Sequence, residues 1–511
     1  MRKVYRSIGN LERAIFNQSG GARMKAFPSD VFVSAVVIDR RSTVPVFQQV
    51  FDHVREQIQR GILMVGATLP SSRALADDLG LSRNSVIAAY EQLEAEGYIE
   101  VSARRRARVL AGEVSRQTPA HTSPYDANKH LSTRGRKLAS APHQIGHVRP
   151  LALQPGQPDW RLFPFSVWRR SIRGNLRPSG GQTFGYHSYG GHKELREVLA
   201  NYMQSSRGVA CTPDQIMITG GAQSAFMLLS HLLVDEGDVV MLEEPGYTGA
   251  RGAFQAAGAQ LVTMPISGHH WDINAIVRHR PRLIYLTPSC QFPLGVTMRI
   301  KQRQEIIKLA TKAKSWIIED DFDSEFRFES NRIPPLQSHD TERRTFYVGS
   351  FSKTMLPDLR LGYVVFPSEV NDQIRKVSFI LGSSAPIAMQ AALSDFIRGG
   401  AYARHIRKMR RNYAAKRQLL LSHANRMMSD ILDPVDEGNG LQTTWRLCKG
   451  TDDVEIARAA LSEGISVTPL SLHYLKDEPV PGLMIGYAST PEREIPRALL
   501  KLSKIVRRFS H

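Results

Sequence analysis

Six apolar runs, "QIMIT", "DVVML", "AQLVTM", "RLIYLT", "SWIIED" and "TFYVGS", recur between residues 215 and 350. Each is closed by glycine, proline or polar residues, and helical patterns separate them. Short runs of aliphatic and β-branched residues without polar alternation suit strands buried on both faces. Strands that alternate with helices suit a mostly parallel sheet covered by helices, an α/β body spanning residues 151–511. Ligands of such sheets bind beyond the strands' C-terminal ends. The polar residues that follow each run are therefore where chemistry is expected.

A different pattern precedes this body. From Val46 onward, Phe47, Val50, Phe51, Val54 and Ile58 recur at helical spacing, and Gly61 stands where that helix would stop. "LPSSRALADDLG" offers Ser71 or Ser72 as N-cap, Leu75 and Leu79 as inward residues and Gly80 as terminator. "LSRNSVIAAYEQLEAEGY" repeats the device, with Ser82 as cap, Val86, Tyr90 (or Ala89) and Leu93 inward, and Gly97 at the end. "YIEVSARRRARVLA" then reads as two short strands around a basic turn. Residues 41–112 thus form a head of three helices and a hairpin, a winged helix-turn-helix in outline. Residues 113–150 mix Pro, Ser, Thr, His and basic residues without hydrophobic period and read as a linker. Residues 1–40 are basic and read as a disordered tail, or as sequence upstream of a true start at Met24.

A length of 511 residues exceeds what one hydrophobic core holds and agrees with two domains. No apolar run approaches the eighteen or so residues of a membrane span, so a soluble, cytoplasmic chain is expected. Cys211, Cys290 and Cys448 have neither disulfide nor metal-ligand spacing, and no metal is expected. The net charge of +19 makes a polyanionic partner plausible. It does not locate one, because residues 41–110 hold nine Lys/Arg against eight Asp/Glu.

Local arrangement does locate one. The stretch "LPSSRALADDLGLSRNSVIAAYEQLEAEGYI" closely resembles the GntR-type DNA-binding domain. Its second helix would enter the major groove N-terminus first, presenting Ser82, Arg83, Asn84 and Ser85 to phosphates and base edges of a double-stranded operator. Ser72 and Arg73, at the start of the preceding helix, would meet the backbone. The family's wing turns on a glycine pair, whereas this tip carries Arg104, Arg105 and Arg106 and should favour phosphate or minor-groove contact.

In the body, "ITGGAQSAFMLL" places Gly221, Ala222 and Gln223 at a helix start, where free amides can hold a phosphate. "IIEDDFDSEF" places Asp320 at a strand end, and "VGSFSKTMLPDLRLGY" places Ser350, Ser352, Lys353 and Arg360 after another. Together these resemble the fold-type I pyridoxal-phosphate enzymes of the aminotransferase class. The order of head, linker and body resembles the MocR-type branch of GntR regulators. The resemblance implies that Lys353 binds pyridoxal 5'-phosphate covalently and that Asp320 holds the ring nitrogen charged. It further implies that Tyr247 of "EEPGYTGAR" stacks on the ring. Ser350, Ser352, Arg360 and the amides of residues 221–223 would bind the phosphate. Tyr186 of "FGYHSYGG" would reach a neighbouring subunit's phosphate in a homodimer.

Three departures bear on function. Phe322 stands where the family has a tyrosine for the cofactor's 3-hydroxyl, Cys290 replaces a histidine in "TPSCQFPLG", and "GLMIGYA" offers Met484 where the family has its carboxylate-binding arginine. The resulting expectation is a cofactor-dependent transcription regulator that senses a small amine, amino acid or B6 vitamer without significant turnover. The competing readings are an active aminotransferase with an appended DNA-binding domain, and a DNA-binding protein whose body serves only for dimerisation.

Overall fold

Short helices hold their shape through packing rather than propensity, and the head shows how. Helix α1 (Val46–Gln59) buries Val50, Phe51, Val54 and Ile58, α2 (Ser72–Leu79) buries Leu75 and Ala76, and α3 (Arg83–Ala95) buries Val86, Ala89, Tyr90 and Leu93. These faces share one core with Leu63, Leu69, Ile99 and Val109. Ser71 is the cap of α2: its side chain accepts from the Ala74 amide at 3.1 Å, so Ser72 is the first helical residue. Gly80 follows in the left-handed conformation at φ +59°, which only glycine adopts freely. Strands β1 (Ile99–Glu100) and β2 (Arg108–Val109) pair antiparallel as the wing's base. Leu79, expected inward, is only half-buried, because it lies at the last position of its helix.

In this computed structural model the described residues are 38–101, 106–110, 130–139, 150–176, 190–328, 333–435, 440–475 and 478–509. Contacts divide the chain into two units, Met1–Lys129 and His130–His511. Residues 133–139, expected in the linker, instead form a short helix whose Arg134 lies 3.6 Å from Glu236 of the body. Ser132 Oγ, accepting from the Gly135 amide at 2.9 Å, starts it.

The body is built on an eight-stranded sheet. Its strands are β3 (Ile216–Thr219), β4 (Val239–Glu244), β5 (Gln260–Ser267), β6 (His270–Trp271), β7 (Leu283–Leu286), β8 (Trp316–Asp321), β9 (Thr345–Ser350) and β10 (Gly362–Val365). Across the sheet they are ordered β3-β10-β9-β8-β7-β4-β5-β6. The pairs from β9 through β8, β7 and β4 to β5 are parallel, whereas β10 runs antiparallel to both β3 and β9. All six apolar runs of the sequence are strands of this sheet. A second, antiparallel sheet consists of β11 (Leu432–Pro434), β12 (Gln442–Leu447), β13 (Thr468–Pro469) and β14 (Gly482–Gly486), in the order β11-β12-β14-β13. Helices cover both faces of the large sheet, leaving separate cores on its two sides.

Strand alternation sorts the three successive acids of β8. Glu319 and Asp321 share one face. Glu319 accepts the Leu336 and Gln337 amides at 2.8 Å each and lies 3.6 Å from Arg303, with both side chains fully buried. Asp321 accepts the Tyr347 phenol and lies 3.7 Å from Arg207. Each is set against an arginine. Asp320 faces the other way, and it is the acid left for chemistry.

Candidate functional site

Asp320 is 4% exposed, and its Oδ2 accepts the Tyr285 phenol at 2.6 Å. Its Oδ1 is buried without a hydrogen-bond partner among the described residues. Burial pushes the carboxyl up to about 7, against the Tyr285 hydrogen bond and the charge of Lys353. An oxygen so placed suits a buried N–H donor that also carries positive charge.

Lys353 follows β9 in a tight turn. Its Nζ donates to the Gly156 carbonyl at 2.7 Å, and burial pulls its pKa below the usual lysine range despite the charges of Asp323 and Asp320. Gly156 has φ +67°, and a Cβ there would lie 2.6 Å from Nζ, so any side chain would press on the amine. Ser350 Oγ accepts from the Ser352 amide at 3.1 Å, shaping the turn.

Helix α4 (Ala222–Leu233) starts from Gly221 at φ +92° with no side-chain cap, leaving its first amides free for an anion. β10 crosses tightly against this end: a Cβ on Gly362 would lie 2.9 Å from the Gly221 carbonyl carbon. The adjoining cleft, about 500 Å³, is lined by Gly220, Gln223, Ser224 and Arg360 among others. Arg360 sits at φ +49°, a left-handed position for a non-glycine residue. Tyr247 caps helix α5 (Thr248–Ala256), and its ring lies 5.4 Å edge-on from Phe292. Burial raises its phenol to about 12, with Asp320 adding to the rise and Arg360 opposing it.

The sequence-derived set is thus largely brought together: Lys353, Asp320, Tyr247, Gln223 and Arg360 are linked by contacts or by electrostatic coupling. Gly221, Ala222, Ser350 and Ser352 stand on the flanking turns. Tyr186, Arg104 and Arg105 lie outside the described residues. Four participants were missed. Tyr285 sits inside an apolar strand run and becomes visible only through pairing of β7 with β8. Gly156 and Asp323 reach Lys353 from other segments, and Gln442 lies near Gly156. Phe322 packs edge-on against Phe292 at 5.7 Å and offers no hydroxyl. Met484 is fully buried on β14, opposite Thr444 and Thr468. Cys290 is 6% exposed and lines a narrow pocket with Phe322, Asp323, Gln442 and Thr444.

In the head, Arg73, Ser82, Arg83, Asn84 and Arg106 are exposed, while Ser72 and Ser85 are half-buried. Ser82 is the N-cap of α3 but makes no side-chain cap bond, so its hydroxyl is not committed to the helix.

The bacterial regulatory protein gntR family model matches residues 47–109, and that of aminotransferase class I and II matches residues 154–502. The probable rhizopine catabolism regulatory protein MocR of Rhizobium meliloti is 37% identical over 453 residues, covering 89% of this chain and 92% of that one. The HTH-type pyridoxine biosynthesis transcriptional regulator PdxR of Corynebacterium glutamicum is 28% identical, covering 90% and 95%. Pyrococcus horikoshii kynurenine aminotransferase shares the fold, with TM-score 0.68 at 21% identity over 75% of this chain and 98% of that one. The alpha-aminoadipate aminotransferase LysN of Thermus thermophilus, solved with N-(5'-phosphopyridoxyl)-L-leucine, gives TM-score 0.66 at 25% identity over 75% and 96%. A gntR-type head joined to an aminotransferase class I and II body, matched along nearly its whole length by a regulator, places this chain in the MocR-type branch of the gntR family of DNA-binding transcription regulators.

Proposed function

We propose that this regulator holds pyridoxal 5'-phosphate on Lys353 and uses its occupancy, together with a small-molecule effector, to set the head's affinity for double-stranded operator DNA. The observation that carries the reading is Asp320 Oδ1, a buried oxygen without a partner among the described residues, on a carboxylate electrostatically coupled to the lysine. When bound, the cofactor supplies an aldehyde for the lysine and a ring that withdraws electrons. The chain's own residues do the rest. Asp320 Oδ1 would accept the ring N–H while Tyr285 keeps Oδ2 in place. Tyr247 would cover the ring. The amides of residues 221–223, with Ser350, Ser352 and Arg360, would bind the phosphate dianion. The desolvated Lys353 amine is less protonated than a free lysine and so is a better nucleophile.

The head would read DNA through Arg83, Asn84 and Ser85 from the start of α3, with Ser72, Arg73, Ser82 and Arg106 on the backbone, and a homodimer would occupy paired half-sites. Significant turnover is not part of this reading, because Phe322 and Met484 remove two groups that tune and anchor an amino-acid substrate.

The test is reconstitution of the purified chain with pyridoxal phosphate. A visible band that borohydride fixes to the peptide containing residue 353, with operator affinity that changes on loading, is the expected result. No band, or rapid multiple turnover of an amino-acid and keto-acid pair beside DNA binding indifferent to cofactor and amino acid, would overturn it.

A further inference from the structure

Asp323 is 3% exposed, and only half of its carboxylate is used. Oδ2 accepts the Leu441 amide at 3.1 Å, while Oδ1 is buried without a hydrogen-bond partner among the described residues. The neighbouring backbone is shaped around it: Gly440 has φ +86°, and a Cβ there would lie 2.6 Å from Oδ2. Asp323 lines the narrow pocket with Cys290, Phe322, Gln442 and Thr444, and no lysine or arginine is among the described residues lining it. Thr444 is committed, donating to the Pro293 carbonyl at 2.6 Å. Gln442 faces the lysine end, since its Oε1 would lie 3.6 Å from a Cβ on Gly156, beside Nζ. Met484, across from Thr444 in register on β14, brings a thioether to that face of the sheet.

We propose that this pocket is the effector subsite and that its ligand is an amine bearing hydroxyls in place of a carboxylate, with its ammonium received by Asp323 Oδ1. The inference rests on the cofactor reading above. Lys353 is the nearby cation that compensates Asp323 in the free protein. Burial raises the Asp323 carboxyl to about 7, against the charge of Lys353 and the Leu441 amide, and an ammonium received at Oδ1 would hold the carboxylate charged. A ligand carboxylate would do the opposite. It would enter a pocket whose described residues offer it no cationic side chain, next to Asp323 and within the field of Asp320. Hydroxyls, which donate and accept, suit the Gln442 amide and carry no charge to desolvate. The free volume is about 10 Å³, roughly one water molecule, so the ligand is small and enters as side chains give way.

The experiment compares serinol with L-serine, which differ in a hydroxymethyl group replacing the carboxylate, on the full chain loaded with pyridoxal phosphate. The readouts are the shift of the cofactor band and calorimetry. Serinol should bind at least about tenfold more tightly than serine. Asp323→Asn, checked for folding by circular dichroism and for an intact band, should erase the preference, and Met484→Arg should improve serine binding. Serine binding as well as serinol in the wild type, neither amine shifting the band, or a preference that survives in Asp323→Asn would each overturn the proposal. Failure of the cofactor reading is distinguishable, because the band would then be missing before any amine is added.

Discussion

In the head, the residues expected to meet DNA are consecutive positions 82–85 on one helix end, whereas in the body Lys353 donates to a carbonyl 197 positions away. The head needs only a cap, a periodicity and a glycine stop to present its surface. The body's site exists only when the sheet is assembled, since Asp320, Tyr285, Gly156 and Gln223 belong to four different segments. The difference teaches that damage to the two units should have different reach: local in the head, distributed in the body.

The largest effect should come from Lys353→Ala, which ought to abolish covalent cofactor binding while leaving the head folded and able to bind DNA. Loss of head folding in that variant, seen by hydrogen exchange at buried amides of α3, would break the comparison. The same lysine sharpens it through pH. Burial lowers its pKa, so the neutral amine that would attack the cofactor prevails at a lower pH than in a free lysine with its value of 10.5. The loading rate should therefore plateau below that pH, and a stopped-flow profile that follows a model lysine peptide would contradict the burial.

Next in size is Leu75→Ala. Leu75 is fully buried in the head core, and its truncation should cost about 2–5 kcal/mol there. The expected outcome is a lower first melting transition and lost DNA binding, with the body's cofactor band unchanged. Arg83→Ala should cost on the order of 1–3 kcal/mol in operator binding if it reads a base, whereas Arg106→Ala should weaken all sequences alike and reduce the salt slope by about one. Titrations at several salt concentrations separate the two. The smallest effect is Ser71→Ala, which removes the cap of α2 and should cost about 1 kcal/mol of head stability in urea unfolding.

Legibility follows the same division. The three head helices, the cap positions of α2 and α3 and the six central strands could be read because each is a local pattern of apolar spacing closed by a stop residue. The small sheet could not. β12 reads "QTTWRL", whose Thr, Gln and Arg disguise a buried strand, and β11 and β13 are three and two residues long. Within the site, Lys353 and Asp320 were legible because each follows or ends an apolar run. Tyr285 was hidden inside such a run, Gly156 looked like any turn glycine in "QPGQP", and Asp323 was masked by the acids beside it. Those roles depend on register and packing between distant segments, which spacing along the chain does not encode.

The segment before Gly156 joins the small sheet: Ala152 pairs in parallel with Ile465, the Ser466 amide donates to Ala152 at 2.9 Å, and the Gly486 amide donates to Leu153 at 2.8 Å. One end of this segment is held by an amine that the cofactor would take away. Releasing that end turns a chemical event at one lysine into a change in how often a stretch of backbone opens. Deuterium uptake at Ser466 and Gly486 should then quicken when Lys353 leaves Gly156, giving a clock for the lysine's state that needs no chromophore.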